Sequence, residues 1–229
     1  MPLADPLISF SGNMKRNELD KIAALAAEIR ESVNQTNMFH CRHLDLGIQD
    51  WNALCDAMDT LEDSTAALRY YELFGHVETV HVPNALDTKW HDSFLLACGE
   101  KYLKLYGFFQ AVVLQQDSIR CLHRIFKGTA LKFSARTVWM RLRTARNLVS
   151  GHPIDRAAAV SRETLGKHEL QVFVYERKKV RMKLVRIRRL FDSYKTAARR
   201  HLQDIRDATN QKCTALNASR SFADQEVQQ

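Results

Sequence analysis

The sequence predicts a mainly α protein, an antiparallel bundle of about five helices with a small β-hairpin before the C-terminal helix. Apolar residues recur at three- and four-residue steps over several long segments, and the connections between those segments are short. Strict alternation of side chains is confined to a stretch near residues 169–184. The 229 residues, 45% of them hydrophobic, can bury a single core. We therefore expect one domain over residues 1–229, with 1–13 and 211–229 frayed.

The first two predicted helices each carry one apolar stripe. The first runs from Met14 to about Gln35. Its stripe consists of Leu19, Ile22, Ala23, Ala26, Ile29 and Val33. The second runs from Asp50, which is well placed to cap it, to about Glu72. Its stripe consists of Trp51, Leu54, Cys55, Met58, Leu61, Ala66 and Leu68.

The third and fourth predicted helices are joined near a glycine stop signal. The third runs from about His91 to Lys127, before Gly128. Its stripe consists of Phe94, Leu95, Tyr102, Leu105, Phe109, Val112, Val113, Gln116 and Ile119. Ser134 is expected to cap the fourth helix. The fourth stripe consists of Val138, Trp139, Leu142, Ala145 and Val149.

Alternating residues predict the β-hairpin. Residues 169–175 and 179–184 alternate in polarity, with Glu-Arg-Lys between them. Apolar periodicity resumes at Ile187 and predicts a last long helix that ends near Asn210.

Cysteine usage and hydropathy favour a cytoplasmic protein that has no membrane partner. The five cysteines are widely separated and include no Cys-x-x-Cys pair, a pattern typical of reduced thiols. His40, Cys41 and His43 resemble the start of a metal site, but no second ligand pair follows at suitable spacing. No segment has the length and apolarity of a signal peptide or membrane span. We predict neither a metal nor a cofactor.

Charge divides the chain into an acidic half and a basic half. Residues 1–119 hold 9 basic and 17 acidic side chains, whereas residues 120–220 hold 25 basic and 7 acidic ones. A basic surface of this size attracts polyanions such as RNA. The alternative is that the basic half pairs with the acidic half, in the same chain or in a second subunit.

The segment from Arg146 to His152, RNLVSGH, combines residue types suited to phosphodiester cleavage. An arginine stabilises the extra negative charge of a pentacovalent phosphate, and a histidine that titrates near neutrality moves the proton of an attacking hydroxyl. Similar Arg-to-His spacings start at Arg69 and Arg162. In those two segments no amide residue directly follows the arginine, whereas Asn147 follows Arg146. They also lack the Gly-His-Pro sequence that ends the helix here. The alternative is a structural role at the C-terminal end of the helix, where cations interact favourably with the helix dipole.

A helical bundle with Arg146, Asn147 and His152 at the end of a long helix resembles the HEPN superfamily, which includes RNA-cleaving toxins and antiviral ribonucleases. The resemblance implies an endoribonuclease in which two subunits bring their motifs together in a composite site. Some family members are controlled by an antitoxin that modifies a tyrosine two residues after the histidine. This chain has Ile154 there, so any antitoxin or regulatory partner would act differently.

The expected reaction is metal-independent cleavage of RNA. His152 would help to activate a ribose 2′-hydroxyl and Arg146 would stabilise the transition state, leaving 2′,3′-cyclic phosphate and 5′-hydroxyl ends. Asn147 would either contact a phosphate oxygen or hold Arg146. Asp117, in the sequence Gln-Gln-Asp, is a supporting candidate that would orient Arg146 or His152. Its alternative is a structural role, in which it bonds to neighbouring side chains at the edge of the apolar stripe.

Two other functions remain open. A non-catalytic helical module could bind RNA or a protein through its basic half, with Arg146 and His152 in structural or phosphate-contacting roles. A third interpretation is a subunit whose bundle mainly serves assembly with a neighbouring enzyme.

Overall fold

A computed structural model of the chain describes residues 17–35, 44, 46–74, 88–150, 158–160, 169–176 and 179–226. Within these ranges it contains five helices: α1 (Glu18–Asn34), α2 (Ile48–Phe74), α3 (Thr88–Lys127), α4 (Val138–Ser150) and α5 (Ile187–Glu226). This arrangement confirms the predicted helical bundle. None of the helices in the described residues has an apolar stretch long enough to cross a membrane.

Successive helices alternate in direction, as cross-helix contacts show. Near one end of α2 and α3, Arg124 Nη2 lies 3.2 Å from Asp50 Oδ1. Near the other end of α2, the ring of Tyr71 stacks on that of Phe108, which lies midway along α3, with centroids 4.0 Å apart. These two pairs make α2 and α3 antiparallel.

The last helix runs parallel to the first. Near the start of α1, Arg199 Nε donates to Glu18 Oε2 at 2.7 Å. Near its end, Ser32 Oγ donates to Asn210 Oδ1 at 2.9 Å. Because the residue numbers of both helices increase in the same direction along this contact, α5 packs parallel to α1.

The core lies between α3 and the helices around it, which are α2, α4 and α5. Aromatic rings fill its centre: Phe108 meets Phe109 and Phe191 edge-on, each at 5.1 Å between centroids. The side chains of Phe109, Val112, Ile119 and Leu122 are fully buried on α3. The predicted stripe of α1 is also buried, except for the half-buried Ala23.

Two predicted helix starts are wrong because other residues occupy the capping positions. Helix α2 begins at Ile48, so Asp50 lies inside its first turn and pairs with Arg124. Before α4, the Thr137 hydroxyl accepts from the Met140 N–H at 3.4 Å. Ser134 supports that cap instead, because its carbonyl accepts from the Thr137 hydroxyl at 2.8 Å.

The last helix is longer than the sequence predicted. Helix α5 continues to Glu226, well past the expected end at Asn210. Cys213 is buried and Leu216 packs against the core, so the apolar stripe extends beyond that point. Residues 211–226, which were expected to be frayed, are helical in the structure, and residues 227–229 lie outside the described residues.

Two residues assigned to apolar stripes are exposed. Ala66 of α2 faces solvent, and its neighbours Ser64 and Thr65 are buried instead. Tyr102 of α3 is 49% exposed.

Strands occupy the stretch between α4 and α5. They are β1 (Ala158–Val160), β2 (Glu169–Glu176) and β3 (Lys179–Arg186), in the order β1-β2-β3 with both pairings antiparallel. Strand β1 was not predicted. The connection at residues 177–178 lies outside the described residues, so the hairpin as a complete unit stays a prediction.

Candidate active site

Helix α4 holds Arg146 at the edge of its buried face. Trp139, Leu142 and Ala145 are at most 5% exposed and pack into the core. Arg146 follows Leu142 by one helical turn and is partly buried, whereas Asn147 is exposed. The guanidinium of Arg146 therefore lies between the packed interior and the surface.

Two amide oxygens orient the Arg146 guanidinium. Nη2 donates to Gln110 Oε1 of α3 at 3.4 Å, and Nη1 donates to Asn147 Oδ1 at 3.2 Å. The contact from Asn147 matches the second of its two expected roles, that of holding Arg146. Both acceptors are neutral amide oxygens, and these hydrogen bonds restrict the orientation of the guanidinium.

Asp117 binds a different arginine from the one expected. Arg143, one turn before Arg146, donates to the Asp117 carboxylate. Arg120 Nη1 lies 3.7 Å from the same carboxylate oxygen. Asp117 therefore holds two other arginines of the α3–α4 surface, and a role in orienting Arg146 gains no support from this geometry.

Gln116 of α3 links α3 to α4 through two hydrogen bonds. Its Nε2 donates to the Trp139 carbonyl at 3.3 Å, and its Oε1 accepts from Arg143 Nε at 2.8 Å. The side chain has no exposed surface, and its contact with the Trp139 carbonyl is buried. Gln116 thus fixes the position of the helix that carries Arg146.

Gln115 ties α3 to two further helices. Its Nε2 donates to Thr65 Oγ1 of α2 and its Oε1 accepts from Tyr194 Oη of α5, each at 2.8 Å. Complete burial raises the pKa of Tyr194 well above its ordinary value, so this phenol stays protonated and donates. These buried hydrogen bonds therefore link the segment of α3 that faces α4 to α2 and α5.

Gln110 is a contact of Arg146 that was not predicted from the sequence. A weak signal for it exists, because this amide interrupts the apolar run LYGFF-AVVL of α3. It also lies seven residues before Asp117, on the same face of the helix.

Several predicted site residues lie outside the described residues. They are His152, which is the expected base, together with Gly151 and Ile154 of the same motif and His40, Cys41 and His43 of the weak metal pattern. Of the two rejected Arg-to-His spacings, Arg69 is described and pairs with Asp20 at 2.5 Å.

In the part of the chain that the structure describes, no group of three or more His, Cys, Asp or Glu residues is arranged to hold a metal ion. No family model, curated protein or solved structure matches this chain.

Proposed function

We propose that the chain is a metal-independent endoribonuclease of HEPN type. The observation that carries the proposal is Arg146, which two amide oxygens orient on the helix that leads into Gly151 and His152. A fixed cation of this kind suits a phosphate group whose negative charge grows in the transition state.

The proposed reaction is attack by a ribose on its own phosphate. His152 accepts the proton of the 2′-hydroxyl while the 2′-oxygen bonds to phosphorus. The bond from phosphorus to the 5′-oxygen breaks, and that oxygen takes a proton from water. Arg146 stabilises the charged phosphorane, and the products are a 2′,3′-cyclic phosphate and a 5′-hydroxyl. DNA lacks the nucleophile and is not cleaved.

The charge of the basic half supports RNA as the substrate. Arg136 is exposed just before the start of α4, and Arg188, Arg189 and Arg200 are exposed on α5. Exposed arginines of this kind contact phosphates and concentrate a polyanion at the surface.

A homodimer with a composite site, acting as a toxin or antiviral defence effector, follows from the resemblance to HEPN proteins. A regulatory partner, such as an antitoxin, belongs to the same proposal. Sedimentation at micromolar concentration tests the dimer directly, because a monomer there would contradict a shared site.

The decisive experiment measures cleavage of a mixed RNA pool in EDTA, with chemical analysis of the 3′ ends. Single-turnover rates are compared among wild type, His152→Ala, Arg146→Gln and Arg141→Gln, with the enzyme saturating. We expect wild type to leave cyclic phosphates and the first two variants to lose about a hundredfold or more in rate. Arg141, an exposed arginine five residues earlier on α4, is the matched control and should keep the wild-type rate.

Two outcomes would contradict the proposed mechanism. Near-normal cleavage by His152→Ala would remove the histidine from the chemistry. Equal losses from Arg146→Gln and Arg141→Gln would mean that arginine contributes only general charge.

A second candidate function is a non-catalytic helical module that binds RNA or a protein. The observation that favours it is the bonding of Arg146 to Gln110 and Asn147, since those bonds also suit a purely structural arginine. Tight RNA binding without cleavage by wild type, together with free expression in the host, would favour this module.

A further inference from the structure

Two exposed tyrosines lie on α3 beyond Gln110. Tyr102 is 49% exposed and Tyr106 is 39% exposed. Their rings are nearly parallel, with centroids 6.4 Å apart and planes at 23°. Exposed aromatic rings can stack on planar ligands such as nucleic-acid bases.

The spacing places both tyrosines in one row with the amide that holds Arg146. Tyr102, Tyr106 and Gln110 follow one another at four-residue steps, which brings them onto the same face of a helix. Along the helix axis Tyr106 lies about 6 Å, and Tyr102 about 12 Å, from Gln110.

Helix α4 leads toward the same two rings. Its Trp139 meets Gln116, and its Arg146 meets Gln110 farther back along α3. Because the helices are antiparallel, the rest of α4, from Arg146 to Ser150, extends toward the level of Tyr106. The tyrosines therefore lie on the side of Arg146 toward which α4 runs to its end at Ser150.

We propose that Tyr102 and Tyr106 form a stacking surface for unpaired bases of single-stranded RNA whose backbone passes Arg146. This inference rests on the proposed function, and it specifies the substrate as unpaired RNA. Bases inside a duplex have their faces covered, whereas unpaired bases are free to stack on aromatic side chains. The charge of Arg146 and of the basic half complements the backbone that carries those bases.

Binding is measured with a single-stranded 2′-O-methyl RNA of about 12 nucleotides, which lacks the attacking hydroxyl and so cannot be cleaved. A second probe carries the same phosphates but abasic sugars across its centre. Wild type should bind the base-bearing probe more tightly. Tyr102→Ala and Tyr106→Ala should each weaken that binding by about five- to 150-fold and leave binding to the abasic probe almost unchanged.

Two controls separate stacking from other effects. Tyr106→Phe keeps the ring and should bind like wild type. Tyr70→Ala removes a tyrosine of α2 that is 54% exposed, and it should also bind like wild type. Circular dichroism melting checks that each variant is folded, which we expect because these side chains are exposed.

The inference and the proposed function fail in different ways. The stacking surface is refuted if wild type binds both probes equally, or if the alanine variants lose as much affinity for the abasic probe. It is also refuted if the variants alter only the sedimentation of the protein, which would assign the two rings to contact between copies of the chain. Failure of cleavage is read separately, on unmodified RNA, and would remove the catalytic proposal.

Discussion

Removal of one buried hydroxyl tests the network behind the candidate site. In Tyr194→Phe the ring stays in place, so no large cavity forms, but Gln115 Oε1 loses the donor that lies 2.8 Å away. Both side chains have no exposed surface, so water cannot replace that donor. Leaving a buried acceptor unsatisfied costs about 1–3 kcal/mol.

For a protein of this size the cost corresponds to a melting temperature about 2–12 °C lower. Thermal unfolding followed by circular dichroism measures it, with Tyr70→Phe as the matched control because Tyr70 is largely exposed. Urea titration of the same variants gives the free energy of unfolding. A melting temperature of Tyr194→Phe within about 1 °C of the control would show that the hydrogen bond contributes nothing to stability.

A double variant tests the same explanation independently. In Tyr194→Phe combined with Gln115→Leu, the acceptor that lost its donor is also absent. Thr65 still donates to the Leu61 carbonyl at 2.6 Å, so it keeps a partner. The double variant should therefore be destabilised by less than the sum of the two single variants. Strict additivity would show that the two side chains are not coupled.

Three further predictions concern helix ends and pH. Gly128 has a φ of 68°, so Gly128→Ala should destabilise the fold by about 1 kcal/mol. Gly107 lies inside α3, so Gly107→Ala should stabilise the fold by about 0.5–1 kcal/mol. Equal urea midpoints for the two variants would contradict this prediction. Thr137→Ala should cost about 1 kcal/mol because it removes the α4 cap, and Ser134→Ala should cost clearly less; the reverse order would restore Ser134 as the cap. Burial lowers the pKa of His201 below its ordinary value of about 6.5. At pH values between these two pKa values, the unfolded chain binds a proton more readily than the folded chain does. The free energy of unfolding therefore falls as the pH falls. Urea titrations at about pH 7.5 and 5.5 should show a larger loss for wild type than for His201→Phe, and equal losses would exclude His201 as the source.

The helices were largely predictable because the signal for them is local. Leu19, Ile22 and Ile29 recur at helical spacing and are fully buried, as a core-facing stripe requires. The caps were less predictable. Ser134 and Thr137 both offer a hydroxyl near the start of α4, and only the backbone geometry determines which one caps the helix.

The candidate site was predictable in part. The position of Arg146 at the edge of the α4 stripe follows from its spacing after Leu142. Its bond to Gln110 does not, because the two residues are 36 positions apart and meet only through the packing of α3 against α4. The same packing places Arg143 beside Asp117. Sequence spacing alone could not show whether Arg143 or Arg146 is the partner of this carboxylate.

The sequence by itself determined the mainly helical fold, the faces that α1 to α5 bury, the basic second half and the motif that ends α4. These properties depend on periodicity and composition, which are local or additive along the chain. The tertiary structure decided which helices lie side by side, how far α5 extends, and which polar side chains meet across α3 and α4. Those contacts depend on the relative register of helices distant in sequence, and a shift of one residue turns a side chain by about 100°.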